Sequence, residues 1–492
     1  MSTSEQESIK SFYHGADVFI TGGSGFLGKL LVEKLLRTCD VNKIYLLMRP
    51  KKNIPLEDRI EHLADSILFD YLKDSESWVF EKIQVIEGDA TNLNLGISES
   101  DREKLKSCSI IFHAAATARF DEPLRKSILT NIRGTREVCK LALTMPNLKA
   151  FVHVSTAFVQ PKNLYVEEKI YPTEDNWEAL INLAEMLDDE VLDSLTPKLT
   201  SEAVNTFCFT KNMAENVCAD YRRNFDLPVT IVRASAVNVT EIEPIRGWCG
   251  SLNELTELFM TGALALNHVH EFKGTNIIDT IPADICVKTL LVAAWVTWID
   301  RQTVLSREVS VYNAASIKRI EFERLFGVIQ STRKTVSRHV VGIPGCTFTE
   351  CPAVAWTLRI VRNILPALIL DQVIKLSGNK PKIMKIQRSL YSAAVNVKHF
   401  NNKTFKFETF NFNELNKQIP VHERDDFFME EKITNMDEFI DAGVATMKRE
   451  LLGETVLDEP FSKKRYRFVY AFTIVTRLLF VYVLIGILRL VM

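Results

Sequence analysis

From its N-terminus to about residue 290 the chain alternates short, continuous apolar runs with longer amphipathic stretches. Asp17–Thr21, Lys43–Met48, Ile83–Ile86, Ser109–Ala115, Phe151–Thr156 and Val229–Val232 each read as a strand covered on both faces. The stretches between them carry apolar residues at helical spacing, as at Leu30, Leu31 and Leu35. Strand, helix, strand in this rhythm predicts βαβ units and a parallel α/β sheet with helices on both faces. The rhythm stops after about residue 290, with Val311–Asn313 as a last strand. Beyond it, residues 353–370 (AVAWTLRIVRNILPALIL) are apolar but carry Arg359, Arg362 and Pro366. That mixture favours an interfacial or acyl-site helix over a span, with a plain core helix as the alternative.

The final run, Phe468 to Met492, holds no acid and only Arg477 and Arg489 as charges. As a helix it is about 37 Å long, against roughly 30 Å of bilayer hydrocarbon. Lys463, Lys464, Arg465 and Arg467 precede it, which predicts a C-terminal membrane anchor with the body of the chain facing the cytosol. Arg477 divides the run, so monotopic or in-plane insertion is the alternative. Membrane lipid is therefore an expected partner. The C-terminal Leu490-Val491-Met492 is not an SKL-type address, which favours the endoplasmic reticulum over the peroxisome.

At 492 residues the chain is too long for one hydrophobic core. The expected order is a tail over 1–14, a nucleotide-binding domain with its substrate portion over 15–330, and a linker over 331–355. A helical C-terminal domain over 356–455 and the membrane segment over 468–492 follow. The basic stretch Arg333–Arg338 marks the boundary. Sixty lysines and arginines against 62 acids leave a formal charge of −2, which gives no overall footprint for nucleic acid. Nine scattered cysteines show neither CxxC nor zinc-ligand spacing, so free thiols in a reducing compartment and no metal site are expected. The polar N-terminus, Met1 to Lys10, lacks the apolar run of a secretory signal.

The strongest local signal is TGGSGFLG, set between the first strand and an amphipathic helix. Strand, glycine turn and helix together predict a dinucleotide site of Rossmann type. Gly22 and Gly25 allow a tight turn and close approach to a pyrophosphate, while Gly28 lets helix pack on strand. The second strand ends in Met48-Arg49-Pro50-Lys51-Lys52, where an NAD-specific fold usually places an acid. Arg49 suits a 2′-phosphate and favours NADPH.

TGxxGFLG resembles the turn of the extended short-chain dehydrogenase/reductase superfamily. Within it, HAAATARF (His113–Phe120), HVSTAF (His153–Phe158), EPIRGW (Glu243–Trp248) and DTIPAD (Asp279–Asp284) resemble the alcohol-forming fatty acyl-CoA reductases, over nearly the whole chain. The resemblance implies two hydride transfers from NADPH to a long-chain fatty acyl-CoA, through an aldehyde, to a fatty alcohol. It implies cofactor contacts at Thr21, Gly22, Gly23, Ser24, Gly25, Phe26, Leu27, Gly28, Arg49, Asp89, His113, Ala114 and Lys211. It places Ser155 and Thr156 at the substrate carbonyl and Asn131 at a helix-bending, proton-relay position. A bland reading of His113, as a packed histidine ending a buried strand, stands beside this one. Arg233 reads as an anchor for the substrate loop or as half of a structural ion pair.

One position departs from the family pattern. Lys211 sits in the family's NTxxxTK frame, one helical turn after the place of the catalytic tyrosine, and that place holds Phe207. Phenylalanine can neither donate a proton nor hydrogen-bond an oxyanion. Proton delivery through Thr156, helped by Ser155, or from Lys211 with a burial-lowered pKa would rescue the reaction. A catalytically impaired homologue that binds NADPH or acyl-CoA, and another extended-family enzyme such as a sterol dehydrogenase, are the alternatives.

Overall fold

Seven parallel strands form the central sheet: β1 (Asp17–Thr21), β2 (Lys43–Met48), β3 (Ile83–Glu87), β4 (Ile110–His113), β5 (Ala150–Thr156), β6 (Val229–Ala234) and β7 (Ser310–Ala314). A computed structural model describes residues 8–50, 55–200, 203–250, 254–303, 306–316, 318–331, 337–433, 435–455 and 458–491. Residues 1–7, Lys51 and Lys52, most of the basic stretch 333–338 and Met492 lie outside them.

The spatial order is β3-β2-β1-β4-β5-β6-β7, and every neighbouring pair is parallel. The order reverses between β1 and β4, which opens a crevice at their C-terminal ends. Burial explains the uniform strand sequences: β4 and β6 are buried at every position, because helices cover both faces. Helix α1 (Phe26–Thr38) follows β1 directly. The stretch Leu124–Ser127 passes through a π-helical turn at Ile128–Arg133 into Gly134–Ala142, and together these form α2 (124–142). Helix α3 (Thr206–Phe225) is capped by Asn205, whose side chain accepts from Cys208 N. Helix α4 is Ala283–Thr303.

A charge cluster ties α1 and α4 to the loop at Glu243. Its carboxylate lies 2.8 Å from Lys34, 2.7 Å from Arg37 and 2.6 Å from Lys288. Burial pushes this carboxyl up, but the three cations win and bring it from 4.5 down to about 2. A depressed acid contributes stability that is complete above pH 4.5 and is lost as pH falls towards 2. The contribution is on the order of 3 kcal/mol. Glu243→Gln should therefore lower thermal stability at neutral pH, and its deficit relative to wild type should shrink between pH 4.5 and 2. A deficit that stays constant across that range would refute the assignment.

The polypeptide divides into two units that do not follow the expected sequential boundaries. The first comprises Met1–Ile245, Asp279–Lys318 and Phe405–Lys432; the second comprises Arg246–Ile278, Arg319–Thr404 and Ile433–Met492. Residues 405–432 return to the sheet unit because one buried carboxylate holds them there. Glu168 accepts from Asn313 N of β7 at 2.9 Å, from Phe412 N at 3.0 Å and from Asn411 N at 2.5 Å. Lys406 and Phe407 also pair, in parallel, with Tyr165 and Val166. The helices of the second unit include α5 (Pro352–Leu376, with a π-helical turn at Ile360–Ile364), α6 (Ile383–Asn401), α7 (Met436–Leu452) and α8 (Glu459–Val491).

Candidate active site

The glycine turn is shaped as a cradle. Gly22 has φ +75°, and a Cβ on it would lie 2.7 Å from Ala114 C and Ala115 N at the end of β4. A Cβ on Gly28 would press on Gly23 Cα at 2.7 Å, so α1 rests directly on the turn. Gly25 N donates to Gly22 O at 2.9 Å, and no side chain caps the N-terminus of α1. A helix start with no side-chain cap, beside a turn that excludes Cβ atoms, fits a pyrophosphate.

A cleft of about 1230 Å³ opens at this turn. Gly22, Ser24, Gly25 and Ala114 line it at the turn, and Arg49, Arg59 and Asp89 line it past the ends of β2 and β3. Asp89 is held in place by accepting from Thr91 N and Thr91 Oγ1, at 2.8 and 2.9 Å. Arg49 Nε stands 4.0 Å from that carboxylate with its side chain 70% exposed, and Arg59 donates to the Arg49 carbonyl. Thr117 and Arg119 line the far end.

Other expected cofactor residues stand behind this lining. Gly23 packs on Leu46, Phe26 and Leu27 open α1, and Gly28 is buried under the turn. Thr21 Oγ1 lies 2.7 Å from His113 Nδ1 and accepts from Ala115 N. His113 requires a correction: its other nitrogen, Nε2, is 3.0 Å from Thr135 Oγ1, so both ring nitrogens are engaged inside the core. Burial, reinforced by Lys211, pulls its pKa down to about 3, and the ring stays neutral. It ties β4 to β1 and α2 and does not face the cleft.

Phe207, Lys211 and Glu215 recur every four residues on α3 and so share one face. Phe207 packs on Phe120 with ring centroids 5.8 Å apart. Lys211 Nζ reaches β5, donating to Val154 O at 2.6 Å and lying 3.1 Å from His153 Nε2. Burial lowers its pKa from 10.5 to about 8 against the pull of Glu215. Thr156 Oγ1, at the end of β5, accepts from Phe158 N at 3.2 Å and donates to no atom among the described residues.

Ser155 requires a second correction. Neighbours on a strand face opposite sides of the sheet, so Ser155 cannot assist Thr156. Its Oγ donates to Glu215 Oε1 at 2.6 Å. Glu215 in turn receives Arg233 through Nε at 2.8 Å and Nη2 at 2.7 Å, with both side chains fully buried. The same guanidinium donates to Glu167 O at 2.9 Å and Lys169 O at 2.7 Å. The ion-pair reading of Arg233 thus holds, and the loop it anchors is 165–171 and not the one that follows its own strand.

Asn131 lies within the π-helical turn, at the bend its family position implies. Its Oδ1 accepts from Thr117 N at 2.9 Å, and its Nδ2 donates to Thr117 O at 3.1 Å and Thr210 Oγ1 at 2.9 Å. It links the cleft wall at Thr117 to the helix that carries Lys211.

Residues 20–290 match the NAD-binding model of the family described as male sterility protein, and residues 362–454 match its second model of the same description. Fatty acyl-CoA reductase 1 of Rattus norvegicus is 32% identical, over 93% of this chain and 88% of the rat protein. The chain belongs to the fatty acyl-CoA reductase family. Fatty acyl-CoA reductase 2 of Homo sapiens is also 32% identical, over 94% of this chain and 89% of the human protein. Among solved structures, the reductase domain of a nonribosomal peptide synthetase from Mycobacterium tuberculosis superposes with a TM-score of 0.60 at 16% identity. It covers 92% of this chain and 96% of that domain. The terminal R domain of the myxalamid pathway gives 0.58 at 17% identity, over 89% and 91%. These two share the fold of the reductase family, and the family's nicotinamide cofactor fits the glycine cradle described above.

Sequence reasoning missed Thr117, Thr210, Glu215 and Arg59. Thr210 and Glu215 flank Lys211 on α3, and the i, i+4 spacing from Lys211 to Glu215 is a signal that could have found the latter. Thr117 and Arg59 reach their places through a loop and a short helix whose paths no local pattern specifies.

Proposed function

We propose that this chain is an NADPH-dependent, alcohol-forming reductase of long-chain fatty acyl-CoA whose turnover is limited by proton supply. The observation that carries this reading is the retention of the Thr156, Asn131–Thr210 and Lys211 arrangement around an apolar residue 207. When bound, the nicotinamide supplies hydride, once to the thioester and once to the aldehyde. Thr156 Oγ1 donates to the acyl oxygen, where negative charge grows as the carbonyl is reduced. Lys211, fixed between Val154 O and His153, holds positive charge behind that oxygen. Phe207 keeps the pocket apolar and gives no proton, so the proton comes from water beside Thr156. The same absence favours a second reading, in which the site binds both ligands and turns over negligibly. Purified protein supplied with NADPH and palmitoyl-CoA should yield hexadecanol slowly and release CoA, and Thr156→Val should abolish it. Tight binding of both ligands without any alcohol would leave only the second reading.

The choice of NADPH is supported by Arg49 and Arg59 at the adenosine end. Arg49→Ala should raise the dissociation constant for NADPH about tenfold or more and leave that for NADH nearly unchanged. Equal weakening of both would count against a 2′-phosphate contact. We also place the chain at the endoplasmic reticulum membrane through α8. Phe461, Phe468 and Phe472 are exposed on it, and Lys463, Lys464, Arg465 and Arg467 stand on the cytosolic side.

A further inference from the structure

Helix α5 is amphipathic in the reverse sense. A surface helix in water buries its apolar stripe and exposes its polar residues. On α5 the buried residues are Ala355, Arg359, Asn363, Ala367 and Asp371, spaced four apart. Arg359 stacks over the Tyr391 ring of α6 at 5.0 Å, and Asp371 accepts from Lys382 N, Ile383 N and Met384 N at the start of α6. The outward residues are Trp356, Ile360, Leu368, Ile369, Val373 and Leu376, with Ile369 at 54%, Val373 at 56% and Leu376 at 87% exposure. Such a contiguous apolar surface marks a contact with something other than water.

Charge identifies what that contact is. Between residues 352 and 407 the only acid is Asp371, which is buried and engaged at the N-terminus of α6. Lys375, Lys380, Lys382, Lys385 and Arg388 are all exposed. An apolar helix face beside basic residues, with no exposed acid, is complementary to a bilayer surface bearing anionic headgroups. Helix α5 is long enough to span, but α6 packs back along it and carries Lys385 and Arg388, which hydrocarbon would reject. We infer that α5 lies in the plane of an anionic leaflet, its apolar face in the acyl region and the basic residues of the α5–α6 turn at headgroup level. This contact is separate from α8 and does not depend on whether the active site turns over. It seats the second unit on the membrane by its own surface.

The test uses the full chain, with benzoylphenylalanine placed singly at Ile369, Val373 or Lys398. Lys398 is exposed but sits 2.7 Å from Glu271 and serves as the control. On phosphatidylcholine vesicles containing phosphatidylserine, irradiation should give lipid adducts at 369 and 373 and few at 398. Replacing Lys380, Lys382, Lys385 and Arg388 by Gln should reduce those adducts about fivefold for each charge removed, on anionic vesicles only. Ile369→Glu with Val373→Glu should abolish lipid adducts from benzoylphenylalanine placed at Leu376 without lowering the unfolding temperature, while α8 still carries the protein onto the vesicles. Protein that floats with vesicles yet gives no lipid adducts at 369 and 373 would overturn the inference. Protein–protein adducts at these positions would do the same, because the face would then join two copies.

Discussion

Phe207→Tyr raises kcat for fatty alcohol formation by about 10²–10⁴-fold, the usual contribution of a positioned general acid. The acyl-CoA KM changes little, because the ring volume is nearly conserved and only a hydroxyl is added. Lys211 lies one turn further along the same face of α3 and carries the charge that would lower the new phenol's pKa. Lys211→Met in the Phe207→Tyr background should therefore remove most of the gain, and Phe207→Leu should show none. The measurement is steady-state NADPH oxidation with product identified by mass spectrometry. An unchanged kcat in Phe207→Tyr would mean that the missing hydroxyl does not limit the reaction, and that the proton already arrives by another route.

Glu215→Ala destabilises the first unit by about 3–5 kcal/mol, because Arg233 is left charged in a fully buried place. At roughly 2–4 °C per kcal/mol for a body of this size, the unfolding temperature falls on the order of 10 °C. The loss also frees the 165–171 loop, whose carbonyls at Glu167 and Lys169 are held by the same guanidinium. Replacing both partners by Met should cost less than Glu215→Ala alone, since no buried charge then lacks a partner. Thermal unfolding of these two variants beside wild type distinguishes these cases. A Glu215→Ala protein as stable as wild type would show that water or another group compensates Arg233.

The two variants lie on one face of α3, and the strand that this face meets, β5, explains how much was legible beforehand. Ser155 and Thr156 are adjacent in HVSTAF, and the motif alone offers both to the substrate. Strand parity separates them, with Ser155 on the Glu215–Arg233 pair and Thr156 turned to the other side of the strand. Parity relative to a site is known only once β5 lies between β4 and β6. His113 fits its reading as a packed histidine, and its partners were hidden for a similar reason. Its position at the end of β4 was legible, but the hydroxyls of Thr21 and Thr135 that fill both ring nitrogens come from β1 and α2. No sequence pattern announces that residues 405–432 join the sheet unit, because the group that holds them, Glu168, is far away in sequence.

The sequence by itself determined the strands, the glycine cradle, the Lys211 frame and the absence of a hydroxyl at 207. Each depends on residue type and spacing within a few turns of chain, where backbone geometry alone sets which atoms can meet. Only the tertiary structure decided which partner each buried polar group finds and which face of a helix is left outside. Helix α5 makes the point: 353–370 read as an apolar helix, but its Arg, Asn and Asp point inward because α6 and neighbouring segments hold their polar groups. Burial of a polar side chain is settled by the partners that distant segments bring, and the apolar face then turns outward.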